Sequence, residues 1–391
     1  MIKLLTFSTL YPSEARPNHG VFVETRLRHL VASGEAQSVV VAPVPWFPFK
    51  NKRFGSYAKF ACTPREEMRN GLRVLHPRFF LPPKIGMTAS PFLLAAAMIP
   101  VIQRIIRQGY DFDLIDAHYF YPDGVAAAML GRYFKKPVCI TARGTDISFI
   151  PNYSLPRKMI IWAADHAAGS ITVCNALKEA MEKLGVESTK IVTLRNGVDL
   201  TLFCPIDRVK GRKELGLKQF TLLSVGNLIE LKGHYLCIEA MASLPDVQLL
   251  IAGSGPDYEQ LELLAKRLGV QDRVNLLGSI SHANLRNYYG AADALVLASS
   301  REGWANVLLE SMACGTPVIA SNVWGTPEVV ASHDAGILMS SRTSEGIVEA
   351  VHTLRDDYPD RTATRRYAEK FSWDETTQGQ LEIFRRATGK M

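Results

Sequence analysis

The sequence predicts an α/β chain built from two βα domains, each with a parallel sheet. Three observations carry this. Short, continuously apolar runs at residues 294–298 and 317–320 bracket a helical stretch, the pattern of two strands buried on both faces and joined by a crossover helix. The alternation of strand-like and helix-like stretches ends near residue 198 and starts again at residues 220–225, Phe-Thr-Leu-Leu-Ser-Val. A chain of 391 residues is also longer than one core normally fills. The expected domains are therefore residues 1–198 and 199–371, with residues 372–391 forming a last helix.

In the first half, residues 3–7 read as a buried strand, followed by a loop containing Gly20 and an amphipathic helix over residues 21–30. Gly20 is a candidate for close backbone approach to a ligand. Residues 38–42 read as the second strand. The stretch to about residue 75 holds Pro43, Pro45, Pro48, Lys50, Lys52 and Arg53, and reads as an exposed, irregular excursion. Phe79-Phe-Leu-Pro-Pro-Lys84 and the segment 92–106, ending on Arg104 with Arg107 just beyond, place aromatic and aliphatic bulk beside positive charge. That combination suits a surface that touches an anionic bilayer and collects a lipid-linked acceptor; the simpler reading is a core-packed helix with a solvated basic end.

Residues 112–118 form a strand ending on His118, and a polar residue at a strand's carboxyl end faces the ligand in this class of sheet. Asp111-Phe-Asp113 has the spacing of an Asp-x-Asp metal motif, but it opens a strand instead of following one, so no metal site is read there. The strand at residues 138–141 leads into Arg143-Gly-Thr-Asp146. An arginine here could hold an acceptor phosphate bidentately, with Asp146 alongside on the acceptor side. Residues 170–174 and 191–195 are further strands.

In the second half, the strand at residues 220–225 runs into Gly226-Asn227 and then Lys232-Gly233 at the front of a helix. The helix dipole disfavours a cation there, which makes sense if an anion lies between them. The strand at residues 247–251 leads to Gly253-Ser-Gly255. These glycines allow close backbone approach to a nucleotide, although the spacing departs from Gly-x-Gly-x-x-Gly. Glu302 follows the apolar run 294–298, Asn306 is the expected N-cap of the next helix, and Gly315 ends it. Gly303 and the helix's first amides form an anion site suited to phosphate. Glu302 and Glu310, eight residues apart, are separated by roughly 10 Å if the loop is extended, the scale of a sugar nucleotide. Carboxylates so placed are good bidentate acceptors for sugar hydroxyls.

Glu302-Gly-Trp-Ala-Asn-Val-Leu-Leu-Glu310, then Ala313-Cys-Gly-Thr-Pro-Val-Ile-Ala and Gly325-Thr-Pro-Glu328, resembles the donor-binding signature of glycosyltransferase family 4. The resemblance implies the GT-B fold, in which two Rossmann-like βα domains with parallel sheets face a central cleft and the last helix crosses back onto the first domain. It implies a retaining transferase that uses a nucleotide-diphosphate sugar. By the same resemblance, Glu302 contacts the donor sugar and Glu310 the ribose hydroxyls. The backbone of Gly303, Trp304, Ala305 and Asn306, together with Lys232, holds the diphosphate, and His118 lies close to the transferred sugar. Asn227 occupies a donor position where the family usually has arginine, so Arg301 or Arg195 would supply the missing charge. Arg143 stands where the family usually has histidine. Residues 273–278 resemble the segment that meets the base, and residues 322–328 close the donor site.

Net charge is +7, with an isoelectric point near 9.0. This favours anionic partners: a nucleotide sugar, a lipid phosphate or anionic headgroups. No recognition motif supports nucleic acid. Six scattered cysteines without a Cys-x-x-Cys pair fit a reducing cytosol and argue against a disulfide framework or zinc. No signal peptide is read at the N-terminus, and the apolar segment 91–102 falls short of the roughly 18 residues of a spanning helix. The expectation is a cytoplasmic enzyme, peripheral at the inner face of the plasma membrane. It would move a hexose to a glycan or lipid-linked acceptor in bacterial surface polysaccharide synthesis, with no obligatory cofactor or metal. The alternatives are a nucleotide-sugar epimerase of the same fold and a donor-binding protein without turnover.

Overall fold

The computed structural model describes residues 1–81 and 86–390, and the chain divides into two compact units. The first is Met1–Arg195 with Trp373–Met391, and the second is Asn196–Ser372.

In the first unit the strands are β1 (Ile2–Phe7), β2 (Ala36–Val41), β3 (Val44–Pro45), β4 (Glu66–Arg69), β5 (Leu72–Leu75), β6 (Arg78–Phe79), β7 (Leu114–His118), β8 (Val138–Ala142), β9 (Gly169–Thr172) and β10 (Ile191–Thr193). The main sheet runs β10-β9-β8-β7-β1-β2-β5-β4 and is parallel except for β4, which pairs antiparallel with β5. β1 thus lies between β2 and β7, so the chain winds away from it in both directions. The excursion after β2 is more regular than its composition suggests. It opens with β3, which pairs parallel with β6 just beyond it, and ends in the β4–β5 hairpin, which extends the sheet. β4, Glu-Glu-Met-Arg, alternates exposed and half-buried residues at a sheet edge, three of the four charged, and so has no apolar run to announce it.

The helix Gly86–Arg107 corrects the expectation that no apolar segment nears spanning length. Met87–Arg107, 21 residues, is long and apolar enough to cross a membrane by length and composition. Pro91 and Pro100 interrupt its pattern in the sequence. Pro91 leaves the Met87 carbonyl without a helical donor, and the Tyr121 hydroxyl donates to it instead. Leu94, Met98, Ile102 and Ile105 are buried, and the helix packs on the helix Val125–Phe134. Of the basic-aromatic segment before it, Pro82, Pro83 and Lys84 lie outside the described residues.

The last helix, Trp373–Thr388, belongs to the first unit. Leu381, Ile383 and Phe384 enter a core with Leu4, Val23, Leu27 and Val40. Arg26, fully buried on the helix Val21–Ala32, donates through Nε to the Gln380 side chain at 2.9 Å and through a terminal nitrogen to the Leu194 carbonyl at 3.1 Å. A buried cation needs such partners, and these tie three sequence-remote segments together.

The second unit contains β11 (Phe220–Val225), β12 (Val247–Ala252), β13 (Val274–Gly278), β14 (Ala294–Leu297), β15 (Val318–Ser321) and β16 (Gly336–Met339). They form one parallel sheet in the order β13-β12-β11-β14-β15-β16. Both faces are covered by helices, and Leu222, Leu249, Ile251, Val296 and Ile319 are fully buried. β11 lies between β12 and β14, the counterpart of β1.

Phe384→Ala is expected to destabilise the first unit by about 3–5 kcal/mol, the usual cost of a phenyl-sized core cavity. Amide hydrogen exchange checks this: protection should fall in β1 and β2 and hold in β11 and β12.

Candidate active site

In doubly wound sheets, ligands bind outside the carboxyl ends of the strands at the point where the winding reverses. In the second unit that point lies between β11 and β14, and the loops leaving these two strands carry Lys232 and Glu302. Lys232 closes the 3-10 turn Glu230–Lys232, just before the helix His234–Ala240. Its ammonium meets Glu302 Oε1 at 2.5 Å, with both side chains mostly buried. Gly233 makes this approach possible. It has φ +70°, and a Cβ there would sit 2.1 Å from the Ala298 carbonyl oxygen at the end of β14. Leu231 O also accepts from Ser300 N at 2.8 Å, which fixes the two loops to each other.

The Glu302 loop is anchored from below. The Trp304 indole is buried and donates to Asn196 O at 3.1 Å, while the Gly325 amide donates to Glu302 O. Asn306 is not the N-cap. The cap position is Ala305, the helix begins at Asn306, and the Asn306 side-chain oxygen accepts from the Asn196 amide at 3.2 Å. Ala305 offers no side-chain cap to the first amides of the helix Asn306–Ala313, whose dipole makes that end electropositive.

Glu310, two turns into this helix, is buried. Its carboxylate accepts from the Tyr289 hydroxyl and from His282 Nε2, both at 2.9 Å. Burial lowers the His282 basicity, but the hydrogen bond and charge of Glu310, with Asp199, more than reverse this, and the imidazole is raised. Phe203 packs edge-on against the rings of both His282 and Tyr289. Sequence reasoning missed these two partners. Their seven-residue spacing puts them on one face of the helix His282–Ala291, which was the available signal.

Two other expected donor contacts have structural roles. A Cβ on Gly253 would meet Gly226 O at 1.8 Å, and one on Gly255 would meet Leu228 O at 2.2 Å. The close approach that requires glycine is therefore to the loop after β11. Asn227 is exposed, and its carbonyl accepts from His234 Nε2 at 3.2 Å.

In the first unit, His118 ends β7 as expected, but it is enclosed. Arg143 donates to its Nδ1 at 2.6 Å, and Asp116 Oδ2 lies 3.1 Å from its Nε2. A guanidinium cannot accept a hydrogen bond, so Nδ1 is the acceptor and the proton sits on Nε2, directed at Asp116. Burial pushes the imidazole below its ordinary value, Asp116 opposes the shift, and Arg143 reinforces it. His118 is thus a neutral, oriented group. Asp116 is two residues earlier on the same strand face, a relation readable from the sequence.

Arg143 stacks over Phe22 at 5.3 Å and, through burial, is lowered to about 10. Asp146 is a loop organiser. Its carboxylate accepts from the amides of Phe120 (2.7 Å), Arg143 (3.1 Å) and Gly144 (2.7 Å), so it has little left for an acceptor. Gly20 has φ +71°, and a Cβ on it would lie 2.4 Å from the Leu10 carbonyl, so its close approach is also to backbone of its own unit. Asp111 and Asp113 pair with Lys136 and Lys390. Among the described residues no group of three or more His, Cys, Asp or Glu side chains is placed to hold a metal ion.

Residues 206–371 match the family described as Glycosyl transferases group 1, and residues 20–202 match Glycosyltransferase Family 4. The chain is 30% identical over 361 residues to TuaC of Bacillus subtilis (strain 168), named as a candidate teichuronic acid biosynthesis glycosyltransferase, covering 90% of this chain and 88% of that one. It is 29% identical over 357 residues to D-inositol 3-phosphate glycosyltransferase 1 of Catenulispora acidiphila, covering 83% of each. Among solved structures, sucrose-phosphate synthase from Thermosynechococcus elongatus matches with a TM-score of 0.80 at 19% identity over all of both chains. HepE of Anabaena in complex with UDP-glucose matches with 0.74 at 20% identity over 98% of each. The chain belongs to glycosyltransferase family 4, with the GT-B fold, and is a glycosyltransferase.

Arg143→Leu is expected to raise the His118 pKa, because it removes the cation that disfavours imidazolium. Nitrogen chemical shifts across pH 5–8 check this: His118 should stay neutral with the proton on Nε2 in the parent, and titrate at higher pH in the variant. In the parent, a folded-state value below the unfolded value of about 6.5 means this histidine lowers stability as pH falls through 6.5.

Proposed function

We propose that the protein transfers a hexose from a nucleoside-diphosphate sugar to a hydroxyl of a glycan or lipid-linked acceptor, with retention at the anomeric carbon. The observation that carries this reading is the Lys232–Glu302 pair at the β11/β14 winding reversal, beside the uncapped start of the helix Asn306–Ala313. Transfer breaks the anomeric carbon–oxygen bond to the diphosphate, and negative charge grows on the departing phosphate oxygen. The Lys232 ammonium and the first helix amides oppose that charge where it develops, the kind of fixed electrostatics that lowers a barrier. Glu302 is left to accept hydrogen bonds from the sugar hydroxyls as Lys232 turns to phosphate. Glu310, its carboxylate plane held by Tyr289 and His282, offers its remaining lone pairs to the ribose hydroxyls.

The bound UDP-glucose of the HepE structure supports trying uridine donors first. The name of the Bacillus relative supports a place in bacterial surface polysaccharide synthesis. On this reading the enzyme works at the inner face of the plasma membrane.

The test is nucleoside diphosphate release from a panel of UDP-, GDP- and ADP-sugars, with and without a lipid-linked acceptor extract. Acceptor-dependent release with a new glycosidic linkage is expected. A rearranged sugar nucleotide without transfer, or donor binding without release, would overturn the reading. Lys232→Ala is expected to lower kcat about 10²- to 10³-fold with folding intact, as for loss of one charge-stabilising donor. Glu310→Ala should act mainly on the donor KM, raising it roughly 10- to 100-fold, the scale of one charged hydrogen bond. Steady-state kinetics separates the two effects.

A further inference from the structure

Large exposed apolar side chains on a folded chain are usually scattered. In the first unit they are concentrated. Trp46, Phe49 and Tyr57 are each more than half exposed, at 55%, 55% and 56%. Phe49, Phe54 and Tyr57 stand around Phe47, at ring distances of 5.9, 5.4 and 5.3 Å, and Trp46 is the residue just before it. Phe49 also stacks on Phe54 at 5.3 Å. Phe47, Phe49, Phe54 and Tyr57 therefore pack on one another at the surface instead of sinking into a core. The β3–β6 ribbon adds a fourth exposed ring: Trp46 N donates to Phe79 O at 2.8 Å, and the next residue, Phe80, is 61% exposed. The helix Gly86–Arg107 packs on β6 and carries exposed Met87 and Phe92.

The charge on the same segment has a single sign. Between Glu35 and Glu66 there is no acidic residue, while Lys50, Lys52, Arg53, Lys59 and Arg65 are all exposed. Arg53 lies over the Phe54 ring at 4.8 Å, so charge and aromatic surface are interleaved. Tryptophan and tyrosine favour the boundary between water and hydrocarbon, where the ring is buried and its polar edge stays wet. Basic side chains beside them gain from anionic headgroups. A glycan is met by separate stacking platforms with acidic partners, whereas here the rings pack on one another, every charged side chain is a cation, and the one amide, Asn51, is turned to the Arg53 backbone N–H at 3.0 Å.

We propose that residues 46–60, with Phe80, form a membrane-docking surface that lays the first unit on an anionic bilayer. The rings enter the headgroup layer, and Lys50, Lys52, Arg53 and Lys59 meet lipid phosphates. This deepens the reading that the acceptor is lipid-linked, yet the docking itself needs no acceptor.

The experiment is co-sedimentation of the full chain with phosphatidylcholine vesicles and with vesicles containing a quarter phosphatidylglycerol. Strong binding to the second, little to the first, and loss in 0.5 M salt are expected. Lys50→Ala/Lys52→Ala/Arg53→Ala should weaken binding roughly a hundredfold. Trp46→Ser/Phe49→Ser should weaken it in salt-independent fashion, and Trp46→Tyr should retain most of it. Nucleoside diphosphate release to a soluble acceptor should be unchanged in all of them, which also reports that they fold. Absence of binding to anionic vesicles, or parent-like binding by the alanine and serine variants, overturns the proposal, as does self-association or glycan binding through the same residues without lipid. If the lipid-linked reading fails instead, vesicle binding persists while lipid-linked acceptors go unused.

Discussion

In a parallel sheet, a strand whose two neighbours are reached by crossovers in opposite directions has an uncovered carboxyl end, because the connecting loops diverge there. β11 is such a strand, and most of the second unit's chemistry follows from that constraint. The loops leaving β11 and β14 must approach each other without a connection between them. The absent side chain at Gly233 allows that approach down to the Ala298 carbonyl, and the result is a mostly buried ammonium–carboxylate contact. Such a pair is weak evidence for stability, since desolvating two charges offsets much of their attraction. In the proposed reaction each partner satisfies the other until an anionic, hydroxyl-rich ligand arrives to take both.

The first unit uses burial differently. Asp116, His118 and Arg143 lie in contact, with buried Arg26 and its partners nearby, and the chain of donors and acceptors fixes which nitrogen of His118 carries a proton. A histidine so held is a poor proton acceptor at neutral pH. It is an oriented dipole, kept neutral first by burial, with Arg143 reinforcing that state and holding Nδ1 as the acceptor. The residue that departs from the family pattern thus acts on a neighbour inside its own unit, which the sequence comparison alone did not reveal.

The fold was legible because parallel strands buried on both faces leave continuous apolar runs. The strand at residues 220–225 is found at those bounds, and those at residues 138–141 and 247–251 each extend by one residue. β4 was not legible, because an edge strand carries charge by design and its pairing is decided by β5. Lys232 and Glu302 stood out as a cation before a helix and an acid after a strand, and they meet in space. Gly253 and Gly255 stood out for the right physical reason, close approach of backbone, but spacing cannot say which backbone approaches. Asn306 has the chemistry of a cap, yet its amide pairs with Asn196, 110 residues away, and no local pattern encodes such a partner.

The most direct measurement is a crystal structure of the enzyme with a non-transferable nucleoside-diphosphate sugar. The account predicts the diphosphate against Lys232 Nζ and the first amides of the helix Asn306–Ala313, with Glu302 turned to sugar hydroxyls and Glu310 on the ribose. A bound donor that leaves the Lys232–Glu302 contact intact, with its phosphates held elsewhere, would contradict it.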